Sequence, residues 1–182
     1  AMDKINPLIE SGHLDFGENK VQEALEKWSE IKLKNNNIKL HLIGKLQTNK
    51  VKHAVKIFDY IHSVDNEKLA KKISDELNKN QRNIKIFLQV NIGKENQKSG
   101  VDVDNLENLF LYCKKINLEV IGLMCIPPFG VDSKEYFKKM RDLGKNLMLK
   151  DLSMGMSSDY LKAIEYSSTY LRIGSSIFGE RS

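Results

Sequence analysis

The sequence predicts an α/β fold of the (β/α)8 barrel type, with seven strands corresponding to strands two to eight and the first strand absent. Three observations carry this reading. Short apolar strand patterns alternate with helical stripes along all 182 residues. That order implies parallel strands joined by crossover helices. The alternation starts on a helix, near Asp3. No Gly-x-Gly-x-x-Gly turn follows any strand, which disfavours the alternative of a doubly wound open sheet.

The elements follow in order. After the opening helix comes a strand near Leu14–Phe16, then a stripe at Val21, Ala24, Leu25, Trp28 and Ile31 with the 3.6-residue spacing of a helix. Strands near Lys39–Ile43 and Tyr60–Val64 precede a second stripe at Leu69, Ala70, Ile73 and Leu77. A strand near Ile86–Asn91 leads to Leu106, Leu109, Phe110 and Cys113, and one near Glu119–Cys125 leads to Phe137, Met140, Leu143 and Leu147. Strands near Asp151–Met154 and Leu171–Ile173 close the series. No linker or low-complexity tract divides them, so residues 1–182 read as a single domain.

Composition narrows the class. A 41% hydrophobic content supplies a sizeable core, and the apolar runs are too short to span a bilayer. Asp3, Asn6 and Glu10 stand where a signal peptide needs an apolar segment. Cys113 and Cys125 read as buried free thiols in a reducing cytoplasm, and no ligand-spaced His/Cys cluster predicts a metal. A net charge of +5 raises nucleic acid as a partner, but the lysines are interleaved with Asp and Glu on helix faces and arginine occurs only at 82, 141, 172 and 181. The expectation is no nucleic acid and no membrane.

The end of the chain carries the chemistry. Leu152-Ser-Met-Gly-Met-Ser-Ser-Asp159 and Tyr170-Leu-Arg-Ile-Gly-Ser-Ser-Ile-Phe-Gly179 each run from a strand into a Gly/Ser turn. Two such turns aim backbone N–H groups at one anion, and the loops after the last two barrel strands are the usual phosphate site. Functional groups in such a barrel lie at the C-terminal strand ends. Candidates there are Glu18 and Asn19, His41, His62 and Ser63, Asn91, Met124, Met156, Ser157 and Arg172. Asn19 equally suits a helix cap, His41 an interior polar role, and His62 and His53 the surface or barrel rim. Arg172 lies between Leu171 and Ile173, so its guanidinium needs either a ligand or a carboxylate such as Glu18 or Asp65.

These residues carry a resemblance. Phe16-Gly-Glu-Asn19, His41-Leu-Ile-Gly44 with Leu46-Gln-Thr-Asn-Lys50, and His62-Ser-Val-Asp65 are three of its blocks. Gln89-Val-Asn-Ile92, Gly122-Leu-Met124, Leu152-Ser-Met-Gly-Met-Ser157 and Leu171-Arg-Ile-Gly174 continue it. In order and spacing the chain resembles the YggS/PROSC family of pyridoxal 5′-phosphate homeostasis proteins, which are similar to the alanine racemase N-terminal barrel without its second domain. The resemblance implies a pyridoxal phosphate site built by Asn19, His41, Met124, Met156, Ser157, Arg172, Gly174 and Ser175. The phosphate lies on the turns at Met156–Ser157 and Gly174–Ser175, and Arg172 faces the pyridine nitrogen. An arginine there disfavours protonation of the ring and weakens it as an electron sink.

The implied role is a non-catalytic cofactor carrier; a racemase- or decarboxylase-like enzyme is the alternative and a basic nucleic-acid-binding module the second. The family's Schiff-base lysine belongs to a strand upstream of the helix near Asp3, and Ala1-Met2 reads as a tag residue before a start methionine. The expectation is therefore that the chain binds the cofactor weakly and non-covalently through its phosphate, or not at all. The intact family is implied to be monomeric, and an open seam between the strands near residues 15 and 172 predicts pairing with a second copy.

Overall fold

A computed structural model describes residues 2–96 and 98–179. Seven strands form one sheet: β1 (Asp15–Glu18), β2 (Lys39–Leu42), β3 (Tyr60–Val64), β4 (Lys85–Gln89), β5 (Glu119–Met124), β6 (Asp151–Met156) and β7 (Tyr170–Arg172). Their spatial order is β1-β2-β3-β4-β5-β6-β7 and every pairing is parallel. An order that never reverses is that of a barrel wall; a doubly wound sheet reverses at a switch point. Among the described residues β1 and β7 are the two edges of the sheet.

The helices are α1 (Met2–Glu10), α2 (Val21–Lys34), α3 (Val51–Ile57), α4 (Glu67–Asn80), α5 (Leu106–Lys115), α6 (Lys134–Asn146), α7 (Tyr160–Glu165) and α8 (Ser175–Phe178). Short 3-10 turns precede α3 and α5. Helix α4 shows how local chemistry sets the boundaries: the Asn66 side chain accepts a hydrogen bond from the Leu69 amide at its start, and Gln81 ends it in the left-handed conformation. Across the seam, Lys4 Nζ of α1 donates to the carbonyl of Phe178 at 2.6 Å.

Strand alternation divides the protein into two layers. One set of residues, including Leu40, Leu42, Ile61, Ile86, Leu88, Leu123 and Met154, packs into the apolar core with Trp28, Ile73, Cys113, Phe137 and Ala163 of the helices. The alternate set, Asp15, His41, Tyr60, His62, Phe87, Ser153, Tyr170 and Arg172, meets inside the barrel wall through rings and hydrogen bonds. Phe87 and Met124 are fully buried yet lie outside the main apolar cluster, because they belong to this inner set.

The chain's tightest backbone passages demand glycine. Gly155 has φ +96° and a Cβ there would stand 2.6 Å from the Ala163 methyl, so α7 lies directly on the end of β6. A Cβ at Gly44 would stand 2.1 Å from the Asn19 carbonyl oxygen, which locks the loop after β1 to the loop after β2. Cys113 and Cys125 are buried free thiols, and burial pushes each up to about 12. No helix among the described residues is long and apolar enough to cross a membrane.

Candidate functional site

The two Gly/Ser turns meet at the C-terminal ends of β6 and β7. The turn after β6 is fixed by Asp159, whose Oδ1 accepts the Met156 amide at 2.8 Å. This presents Ser157, whose Oγ accepts from the Gly174 amide at 3.3 Å and from the Ser176 amide at 3.4 Å. Two backbone N–H groups thus converge on one oxygen, the arrangement that holds a phosphate oxygen. A Cβ built on Gly174 meets no atom within 4 Å, so the space before the turn is open to a ligand. Met156, Gly174 and Ser175 line this rim and are exposed. The amide of Ser176, rather than that of Ser175, turns toward Ser157.

Arg172 lies behind the rim. Its Nη1 donates to Ser153 Oγ at 2.7 Å and its Nη2 to the Cys125 carbonyl at 2.8 Å. Both partners are neutral, and among the described residues no carboxylate forms an ion pair with it. The two carboxylates weighed as partners are engaged elsewhere. Glu18 faces outward, where its Oε1 accepts from Lys27 Nζ at 2.6 Å and from the Trp28 indole at 2.7 Å. Asp65 accepts from the Gly100 amide at 2.9 Å and the Asn66 side chain at 2.8 Å. Burial lowers the arginine's pKa from its ordinary value, because a guanidinium inside the barrel has lost water that two neutral acceptors replace only in part.

Behind Arg172 runs a polar column. Ser153 Oγ is 2.8 Å from His62 Nδ1, His62 Nε2 is 3.0 Å from His41 Nδ1, and His41 Nε2 is 2.9 Å from Asp15 Oδ1. His62 is only 1% exposed, which corrects its assignment to the surface or rim; its ring stacks on Phe87 at 4.3 Å. His41 is the interior polar residue that the alternation with Leu40 and Leu42 predicts, stacked on Tyr60 at 4.1 Å. Burial is the main cause that lowers both imidazoles, and Arg172 adds to the effect on His62 while Asp15 opposes it on His41.

The remaining candidates are spread around the same mouth. Met124 ends β5, fully buried, in register with Ser153. Asn19 lies in the loop after β1; the residue at the N-cap of α2 is Lys20, so the capping role considered for Asn19 is not realised. Asn91 is tied into its own loop through the Glu95 backbone. Sequence reasoning did not single out Asp15 or Ser153. The available signal was their inward phase on β1 and β6, since each is one residue before an apolar residue that joins the outer core.

Comparison with known proteins now fixes the family. The family model described as alanine racemase, N-terminal domain, matches residues 1–182. The pyridoxal phosphate homeostasis protein of Aquifex aeolicus is 43% identical over 176 residues, spanning 91% of this chain and 76% of the relative. That of Synechocystis is 37% identical over 200 residues, spanning 100% of this chain and 87% of the relative. Among solved structures, PipY of Synechococcus elongatus with pyridoxal phosphate bound superposes with a TM-score of 0.89 at 34% identity, covering 96% of this chain and 86% of that one. The form without the cofactor gives 0.92, covering 97% and 87%. An alanine racemase of Clostridium difficile shares the fold at 14% identity and a TM-score of 0.73, covering 96% of this chain and 47% of that one. The chain belongs to the alanine racemase N-terminal domain family and, within it, to the pyridoxal phosphate homeostasis proteins.

Proposed function

We propose that this chain binds pyridoxal 5′-phosphate at the C-terminal mouth of its barrel and serves as a carrier in cytoplasmic cofactor homeostasis. The observation that carries the reading is the pairing of two subsites: amides converging at Ser157 beside the open face of Gly174, and a buried guanidinium with only neutral partners. A ligand with an anionic phosphate at one end and a hydrogen-bond-accepting ring at the other matches both. When bound, the cofactor supplies an aldehyde that condenses with amines and a ring able to accept electrons.

The chain's own residues hold and orient the ligand. The Gly174 and Ser176 amides and the Ser157 hydroxyl take the phosphate, Met156 and Ser175 border it, and Asn19 and Met124 lie toward the ring, while His41 stands behind Arg172 in the polar column and supports it from there. Arg172 keeps its proton, so it donates to the pyridine nitrogen and leaves that nitrogen unprotonated. The consequence is a cofactor that is held but poorly activated, which favours carriage over catalysis. The buried thiols fit a reducing compartment. The open edges of β1 and β7 are the surfaces through which a second copy would pair.

Titrating the protein with pyridoxal 5′-phosphate and following the cofactor's absorbance tests the reading. One molecule per chain should bind, without a lysine adduct after borohydride reduction, and added amino acids should not be turned over. A stoichiometric lysine adduct overturns the non-covalent mode, turnover overturns the carrier role, and absence of binding overturns the reading itself.

A further inference from the structure

The polar column behind Arg172 has a direction that hydrogen-bond chemistry fixes. Asp15, the first residue of β1, ends the column at the opposite mouth of the barrel, with its side chain 58% exposed. An ionised carboxylate only accepts, so His41 Nε2 must carry the proton toward it. A neutral His41 then accepts at Nδ1, which requires His62 to donate from Nε2 and to accept at Nδ1. Among the described residues the donor facing that nitrogen is the Ser153 hydroxyl, 2.8 Å away. With its hydrogen committed to His62, Ser153 turns its oxygen to Arg172, which can only donate. Every bond from rim to rim has one permitted polarity, and aligned chains of this kind strengthen their members.

We infer that Asp15, His41, His62 and Ser153 form a directional relay that positions Arg172 for its ligand and couples the N-terminal mouth of the barrel to the ligand site. Asp15 sets the direction. Without its acceptor-only carboxylate the two imidazoles can exchange tautomers. In the reversed state Ser153 Oγ receives hydrogens from both His62 and Arg172, and its own hydroxyl hydrogen turns elsewhere. The surroundings leave the relay as the main polar route: His41 feels Asp15, Asp59 and Lys32, His62 feels His41 and Arg172, and the rings of Tyr60, Tyr170 and Phe87 wall the column. The four members are positioning residues, since none touches the ligand through its own relay bonds. The inference rests on Arg172 as the ring contact, but its first test does not require the ligand.

Long-range proton–nitrogen NMR of the histidine-labelled, ligand-free protein reads the tautomers directly, with His41→Gln and His62→Gln assigning the signals. At pH 7.5 both imidazoles should be neutral with the proton on Nε2. Asp15→Asn, whose amide both donates and accepts, should convert His62 to a tautomer mixture although His62 does not touch residue 15. Asp15→Glu should restore it. A proton on Nδ1 of either ring in the native chain, or a His62 signal unmoved by Asp15→Asn, overturns the relay. Pyridoxal 5′-phosphate is the second probe: Asp15→Asn should weaken its binding about threefold, and Asp15→Glu should recover it. Unchanged affinity alongside altered tautomers overturns the coupling. If the native chain binds no cofactor, the carrier reading fails and the coupling with it, while the NMR result alone still decides whether the directional relay exists.

Discussion

The same seven strands build two unlike layers from alternate residues. The outer layer against the helices is apolar and interchangeable in character: Leu40, Ile61, Ile86 and Leu123 all belong to one buried apolar cluster. The inner layer is made of groups that must find named partners, from Asp15 through His41, His62 and Ser153 to Arg172. The difference teaches where stability and function are kept. Packing energy is drawn from the outer layer and is spread over many residues; specificity is drawn from the inner one and concentrated in a single column.

Substitutions that separate the layers give the largest contrast. Ile86 is fully buried in the outer layer. Ile86→Ala should cost about 2–5 kcal/mol in urea unfolding, with cofactor affinity per folded molecule unchanged. Arg172→Met does the reverse. It removes a poorly compensated guanidinium but leaves the Cys125 carbonyl unpaired, so unfolding should shift by about 1 kcal/mol or less. Cofactor affinity should fall about 10- to 100-fold with loss of a charged hydrogen bond. If Arg172→Met unfolds the protein while binding per folded molecule survives, the division of labour between layers is wrong.

The rim sharpens the same comparison. Gly174 has open space where a Cβ would go and a negative φ of −126°, so Gly174→Val should leave the melting temperature nearly unchanged. Inorganic phosphate, used as competitor against the cofactor, should lose at least about tenfold in affinity as the side chain enters the ligand's space. The smallest effect is on pH. Burial holds His62 well below the ordinary histidine value and lowers His41 as well. Below about pH 6.5 the unfolded chain therefore binds more protons than the folded one, and stability falls as pH drops through that window. Thermal melts between pH 7.5 and 5 should show this decline, and His62→Gln should flatten it.

The outer layer was the legible one. Its stripes at Val21, Ala24 and Trp28 or Leu69, Ile73 and Leu77 repeat at helical spacing, and the strands alternate around them, so the barrel order follows from local pattern. The two Gly/Ser turns that meet after β6 and β7 were legible too, because Gly174, Ser157 and their neighbours form compact motifs. The inner column was not. Its partners come from different strands, His62 and Ser153 lying 91 positions apart. A lone histidine in Tyr60–Val64 carries no mark of that partner, which is why His62 reads as a rim residue and Ser153 passes unremarked. Arg172 shows the intermediate case: its need for a partner is readable in sequence, but Glu18 points to the outer face of β1, where Lys27 and Trp28 of the next helix engage it.

The strand order has a consequence for assembly. Each strand pairs with the one before it in sequence, so a growing chain can lay down its ladder one strand at a time, each new strand joined to the last through one helical crossover. The inner column obeys no such schedule: its bond from β3 to β6 waits until three further strands have been added, and Arg172 arrives with the last. A folding intermediate lacking β6 and β7 would have most of its hydrocarbon packed and no competent mouth. Completion of the seven-strand wall and presentation of Arg172 are thus one event, and a half-made chain lacks the groups proposed to hold the cofactor.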